Sequence, residues 1–354
     1  MKVGIVSYYD YEKYIESKVN TKENIYENWN KAWYEVFKLS KKNDINLEKY
    51  KNNNHHTYDK ILIIEIPRIT DLLKILFSNI FSKRIKTILI INETFIGRAR
   101  YILRIPFLFN SVCINSELCL NNYFSYRVKT FSYPTIPSKN IIKKNRNNIL
   151  SNNRKNKIVF IGSFKLALNK YGSYIYRYKI IRGLTKYKNK FSLYGFNWDK
   201  KQIPFDLFGI AIIKRIKFIE KLLKKIFAIY YSPLGNFSKA KNKIETLKKY
   251  QFSIIFEPTV GYFNSICEKI FDPMLSGAIP IYYGQPILKD IPNDTYIRIE
   301  TSTNPSDIIK ILNDTPKYKI ENYRKNIYKF LISDAANKYR FETFANFIVS
   351  IIKR

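Results

Sequence analysis

Glu268 and Lys269 stand side by side in FEPTVGYFNSICEKIFDPMLSGAIPIYYG, the stretch from Phe256 to Gly284. The spacing of apolar residues predicts a helix over 266–276, so the pair occupies its first turn. A helix start offers unbonded N–H groups and partial positive charge, which together favour phosphate. A lysine there adds a full charge for a diphosphate. A glutamate there is steadied by the helix dipole and can accept hydrogen bonds from ribose or sugar hydroxyls. An ordinary Glu–Lys first turn with a solvated lysine gives the same pattern, so the surroundings must decide. Ser276, Gly277 and Ala278 let the helix end tightly, and the strand IPIY delivers Tyr283 and Gly284 to a point where a ligand can approach the backbone. Arg177, at the start of another predicted helix, offers a planar guanidinium that can hold phosphate oxygens bidentately. A surface helix arginine is the competing reading.

The elements that must position these residues alternate along the chain. Strands are predicted at 2–7, 60–66, 86–91, 112–114 and 128–131, with helices at 28–41 and 70–81. Residues 138–157 (SKNIIKKNRNNILSNNRKNK) are polar, basic and nearly periodless, and read as a linker between domains, a long surface loop being the alternative. The pattern then restarts. Strands at 158–161, 191–194, 252–256 and 279–282 alternate with helices at 174–187, 239–249 and 266–276, and the chain closes on a helix over 338–352. Near-continuous apolar strands between helices indicate parallel sheets covered on both faces. The expected organisation is an N-terminal domain over 1–137 and a C-terminal domain over 158–354, with the closing helix free to pack back on the first. Ligands in such sheets bind beyond the carboxyl ends of the strands. Glu93, Gly162, Ser163, Glu257 and Gly284 each follow a predicted strand. Glu65 and Glu117 compete with Glu93 as the acid of the first half. Residues 209–231 are basic and amphipathic. A helix with its apolar face on the sheet is the commoner explanation, and a membrane-surface helix the other.

Among the 354 residues, 46% are hydrophobic and 16% aromatic, enough for sizeable cores despite a net charge of +34. That charge admits three readings: nucleic-acid binding, attraction to anionic lipid or an anionic acceptor, and a composition rich in Lys, Asn, Ile and Tyr for its own sake. No helix-turn-helix, zinc-finger or RNP-type pattern appears, and the lysines are spread along the chain, which weighs against nucleic acid. His55 and His56, the only histidines, lie in the polar run KNNNHH, against a histidine catalyst or zinc site. Cys113, Cys119 and Cys267 have no metal-like spacing and suit a reducing cytoplasm. The chain opens on a strand rather than a signal peptide, and no apolar run is long enough to span a membrane.

The stretch YQFSIIFEPTVGYFNSICEKIFDPMLSGAIPIYYGQPILKDIPNDTYIRI resembles the donor-site signature of the alpha-1,3-fucosyltransferase family. That signature reads F-E-N, a variable loop, T-E-K, an apolar helix, a small residue, P-[IV] and a glycine. Upstream, Arg177 precedes Leu184 and FSLYG, as an arginine precedes a leucine and a Tyr-Gly strand end in that family. The resemblance implies a GT-B glycosyltransferase with two doubly wound Rossmann-like domains facing a cleft. It implies GDP-fucose as donor, with Arg177 and Lys269 on the diphosphate, and Glu268, Glu257, Gly162, Ser163, Tyr283 and Gly284 around the donor. It implies Glu93 as general base, inversion at the anomeric carbon, a glycan or lipid-linked glycan acceptor, and no required cofactor or divalent metal. No D-x-D motif is present; Asp10-Tyr11-Glu12 is nearest. For a bacterial enzyme it implies surface polysaccharide or lipopolysaccharide synthesis in the cytoplasm; the charge alone adds the expectation that the positive surface approaches the inner face of the membrane. Pro258 replaces the asparagine and Cys267 the threonine of the signature, departures that bear on the sugar contacts more than on the diphosphate contacts. Another nucleotide sugar, or a basic nucleic-acid-binding protein, are the alternatives.

Overall fold

A computed structural model of the chain describes residues 1–7, 28–65, 69–82, 84–91, 109–115, 128–169, 172–207, 213–235, 237–260 and 266–354. It divides into two compact units, one of residues 1–138, 263–268 and 337–354, the other of residues 139–262 and 269–336.

The first unit holds a six-stranded parallel sheet in the order β2-β1-β3-β4-β5-β6. Its strands are β1 (Lys2–Ser7), β2 (Asn46–Lys49), β3 (Lys60–Ile64), β4 (Lys86–Ile91), β5 (Ser111–Ile114) and β6 (Val128–Thr130). Side chains alternate between two faces along a strand. Leu62, Ile64, Ile88 and Ile90 therefore pack one way, under Trp33 and Val36 of α1 (Asn28–Lys42) and Phe344 and Ile348 of the closing helix (Phe341–Lys353). Ile61, Ile63, Leu89 and Ile91 face the other way, toward Ile75 of α2 (Ile69–Phe81). Both faces are buried, so the strands read as unbroken apolar runs. β3 stops at Ile64, short of the predicted end. Glu65 beyond it is buried, adopts φ +60°, and donates its N–H to the Ile90 carbonyl at 2.8 Å.

The second unit holds a five-stranded parallel sheet in the order β11-β10-β9-β7-β8. Its strands are β7 (Lys155–Ile161), β8 (Phe191–Tyr194), β9 (Tyr250–Phe256), β10 (Ile279–Tyr283) and β11 (Ile297–Arg298). Residues 138–157 are not a featureless linker. They form α3 (Lys139–Lys144) and α4 (Arg146–Leu150) and run into β7. Ile142 and Ile149 are the buried residues of the two helices, which pack on α10 (Lys317–Ile332). α5 (Tyr174–Leu184) and α9 (Pro305–Asp314) cover one sheet face through Ile181, Leu184, Ile308 and Leu312. α7 (Lys243–Leu247) and α8 (Glu268–Ser276) precede β9 and β10, and α11 is the closing helix Phe341–Lys353. α6 (Lys217–Tyr230) departs from its expected packing. The expected apolar face on the sheet is not there, since no residue of this helix is buried.

Candidate donor site

In the second sheet the chain leaves β7 for β8 on one side and returns to β9 on the other. The strand order reverses between β7 and β9, and a crevice opens there at the carboxyl ends in sheets of this kind. A cavity of about 180 Å³ occupies that place. Phe160 to Ser163 at the end of β7, Ser253 to Phe256 in β9, Lys243 and Leu247 of α7, Tyr174 and Arg177 of α5, and Lys269 and Pro273 of α8 line it, together with Lys165. Small-molecule pockets commonly run to roughly 300–1,000 Å³. The cavity therefore suits a diphosphate rather than a whole nucleotide sugar.

Arg177 dominates its electrostatics. Its side chain is buried, and its Nη2 donates to the carbonyls of Ser163 and Lys165, both at 3.3 Å. The guanidinium lies over the Tyr174 ring, 4.6 Å from its centroid. Among the described residues no carboxylate pairs with it. Burial pulls it down to about 10, the Tyr174 hydroxyl opposing. It stays charged at neutral pH, desolvated and met, among the described residues, by carbonyls and ring faces. Such a group favours an incoming anion.

The local sequence holds α5 in place. Ser173 precedes it, donating its N–H to the Pro258 carbonyl at 3.2 Å and its hydroxyl to the Glu257 carbonyl. Pro258, the departure from the signature, thus serves through its carbonyl. At the end of β7, the Gly162 N–H is already given to the Tyr194 carbonyl at 2.9 Å, and the Gly162 carbonyl accepts from Trp198 Nε1 at 2.8 Å. Gly162 shapes the wall and has no N–H to offer. Ser163 offers an N–H and a hydroxyl that bond nothing else among the described residues.

α8 begins at Glu268, and its end follows from Gly277. The Ala278 N–H reaches the Pro273 carbonyl at 3.0 Å and the Gly277 N–H the Met274 carbonyl at 3.1 Å, with Gly277 at φ +78°. This double closure around a left-handed residue is the Schellman motif. Within the helix, buried Asp272 pairs with Lys243 of α7, tying together two helices of the cavity wall.

Of the sequence candidates, the structure gathers Arg177, Lys269, Gly162 and Ser163 around this cavity and adds Lys165, Lys243 and Tyr174. The others stand elsewhere. Glu257 is fully buried just past β9, its N–H on the Tyr283 carbonyl at 2.9 Å. Gly284 has no Cβ because one there would lie 2.6 Å from Glu257 Cγ and 2.3 Å from the Tyr282 hydroxyl. Tyr283 packs at 4.4 Å on Tyr176, with Phe256 beside it, as part of the core. Glu268 opens α8 but does not line the cavity. Glu93 and its competitor Glu117 lie outside the described residues. Cys113 is buried in the first sheet, and burial pushes its thiol up to about 12, which leaves it unreactive. A tyrosine three residues before Arg177 was a legible sign of a ring beneath the guanidinium. Nothing in the sequence places Lys243 beside Lys269.

Residues 177–328 match the family model described as Glycosyltransferase family 10 (fucosyltransferase) C-term. Two relatives carry the same resemblance. The chain is 39% identical over 70 residues to the alpha-(1,3)-fucosyltransferase FucT of Helicobacter pylori, covering 20% of this chain and 14% of that one. It is 29% identical over 107 residues to the 4-galactosyl-N-acetylglucosaminide 3-alpha-L-fucosyltransferase 9 of Cricetulus griseus, 29% of this chain and 30% of that one. The match thus spans under a third of these relatives' length. Among solved structures, an alpha1,3-fucosyltransferase superposes with a TM-score of 0.52 at 16% identity, over 100% of this chain and 90% of that one. An alpha-glucosyltransferase solved with UDP and a 13-mer DNA containing an HMU base superposes with a TM-score of 0.60 at 12% identity, over 100% of both chains. At these identities the structural likeness shows the fold alone, two Rossmann-like units of the GT-B class. The segment that begins at Arg177 and holds Lys243 and Lys269 is thus similar to the C-terminal part of glycosyltransferase family 10, the fucosyltransferase family.

Proposed function

We propose that this protein transfers fucose from GDP-fucose to a hydroxyl of a glycan acceptor, with inversion at the anomeric carbon. The observation that carries the reading is Arg177, a buried cation without a carboxylate partner among the described residues, in a diphosphate-sized cavity at the strand-order reversal. The family match beginning at that residue supports fucose.

The acceptor oxygen attacks the anomeric carbon while the bond from that carbon to the diphosphate oxygen breaks. The acceptor's proton passes to a carboxylate, for which Glu93 is the candidate on its sequence position. Negative charge grows on the departing GDP. Arg177, Lys269 and the Ser163 N–H and hydroxyl stabilise it, and a preorganised cation in a desolvated site acts more strongly there than in water. These cations supply the charge that a divalent metal supplies in other transferases, so activity should survive a chelator. A lipid-linked or surface polysaccharide in a bacterial cytoplasm is the acceptor class we infer.

Calorimetric titration with GDP, UDP and GDP-fucose tests the donor. GDP species should bind selectively to the native protein, and Lys269→Ala should weaken them by about tenfold or more, the order expected for a charge-assisted contact. Tight UDP binding would keep the fold and remove fucose. Absence of nucleotide binding would remove the donor reading.

A further inference from the structure

α6 is mounted the unusual way round. Successive residues of a helix are about 100° apart, which gathers Phe218, Leu222 and Ile229 into one narrow arc, with Ile226 beside it. These side chains point outward, with Phe218 76%, Ile229 75% and Leu222 47% exposed. The opposite edge, with Glu220 and Lys224, turns toward the body of the second unit. There it lines a cavity of about 620 Å³ with Phe164 and Ile203. A water-facing helix in a soluble protein places its charges outward; α6 exposes its apolar arc instead.

The charges around the arc are of one sign. Lys217, Lys221 and Lys225 flank it and are exposed. The helix's one acid, Glu220, is occupied by Lys224 at 3.0 Å and Lys217 at 3.7 Å. We propose that α6 docks the protein on an anionic lipid surface, with Phe218, Leu222 and Ile229 entering the acyl boundary and the flanking lysines reaching the phosphate layer. Charge complementarity selects this occupant. A second copy would bring a chain of net charge +34 against its like. Nucleic acid would satisfy the lysines and leave the apolar arc in water. α6 is too short to cross a bilayer, and no described helix is long and apolar enough to do so. The inference is independent of which sugar the protein transfers.

The test uses the full chain and vesicles of phosphatidylcholine, alone or mixed with phosphatidylglycerol. The native protein should float with the anionic vesicles, bind neutral ones at least about tenfold less, and lose affinity as salt rises. The F218S/L222S/I229S variant should bind anionic vesicles at least about tenfold less, since the arc's burial is what it removes. Its circular dichroism and its nucleotide titration should match the native protein. In F218W, emission should shift to the blue on vesicle addition, beyond any shift of the native tryptophans. Equal flotation of the triple-serine variant would overturn the proposal. So would a native oligomer that this variant dissolves, with no vesicle binding, because the arc would then be an interface between copies.

Discussion

Arg177 carries a full charge into a place that is 7% exposed, and no carboxylate among the described residues pairs with it. The sign of that cost follows from its pKa. The unfolded chain holds the proton more tightly, with the folded value lowered from 12.5 to about 10. The penalty is therefore present throughout neutral pH and lifts only as pH rises through about 10 toward the unfolded value. A drop of that size corresponds to about 3 kcal/mol. Arg177→Met keeps the stem and removes the charge. The variant's unliganded stability, read from urea unfolding, should be unchanged or raised by up to about 3 kcal/mol, while GDP binding is lost. A large fall in unliganded stability would mean that the guanidinium's carbonyl bonds hold α5 in place, and that its role is structural. Arg177 and Lys269 were legible in the sequence because a cation at a helix start has a mechanism behind it. Lys243 was not, because its place depends on α7 folding back beside α8. Ser163 was named together with Gly162, and the sequence did not show which of their two adjacent N–H groups the neighbouring strand claims.

α8 shows what an element contributes beyond its residues. It must stop abruptly so that β10 can enter the sheet two residues later, and Gly277 makes the stop. A Cβ there would lie 2.4 Å from the Ile149 carbonyl oxygen, and φ is +78°. Gly277→Ala should destabilise the protein by about 1–3 kcal/mol. Gly235→Ala, whose added Cβ would meet nothing within 4 Å, should fall within about 0.5 kcal/mol of the native protein. Thermal melts of the two variants side by side check this, and equal melting points would remove Gly277 from the account. The same logic explains which elements the sequence disclosed. Strands buried on both faces, β3, β4, β9 and β10, announce themselves as apolar runs. β2, with Leu47 its one buried residue, and the two-residue β11 carry no such signal. α3 and α4 each bury a single isoleucine, so their basic residues read as a linker. α6 had a helical period that gave no sign of which way its apolar arc would face, because amphipathicity fixes a face and not its partner.

At the scale of the whole molecule, each unit has its own sheet and core, and the donor cavity draws every wall from the second. A nucleotide that binds there stabilises by mass action the structure it touches, by about 2.7 kcal/mol at a hundred times its Kd. Hydrogen exchange with and without GDP should therefore be uneven along the chain. Amides around Ser163, at the start of α5, at the end of β9 and in the first turn of α8 should slow. Those of β1, β3 and β4 should change little, since local openings of the first sheet expose no part of the site. Uniform slowing would mean that the two units open as one cooperative body. Slowing confined to β1 and β3 would place the nucleotide on the first sheet, at its own strand-order reversal beside Glu65, and the cavity under Arg177 would then need another ligand.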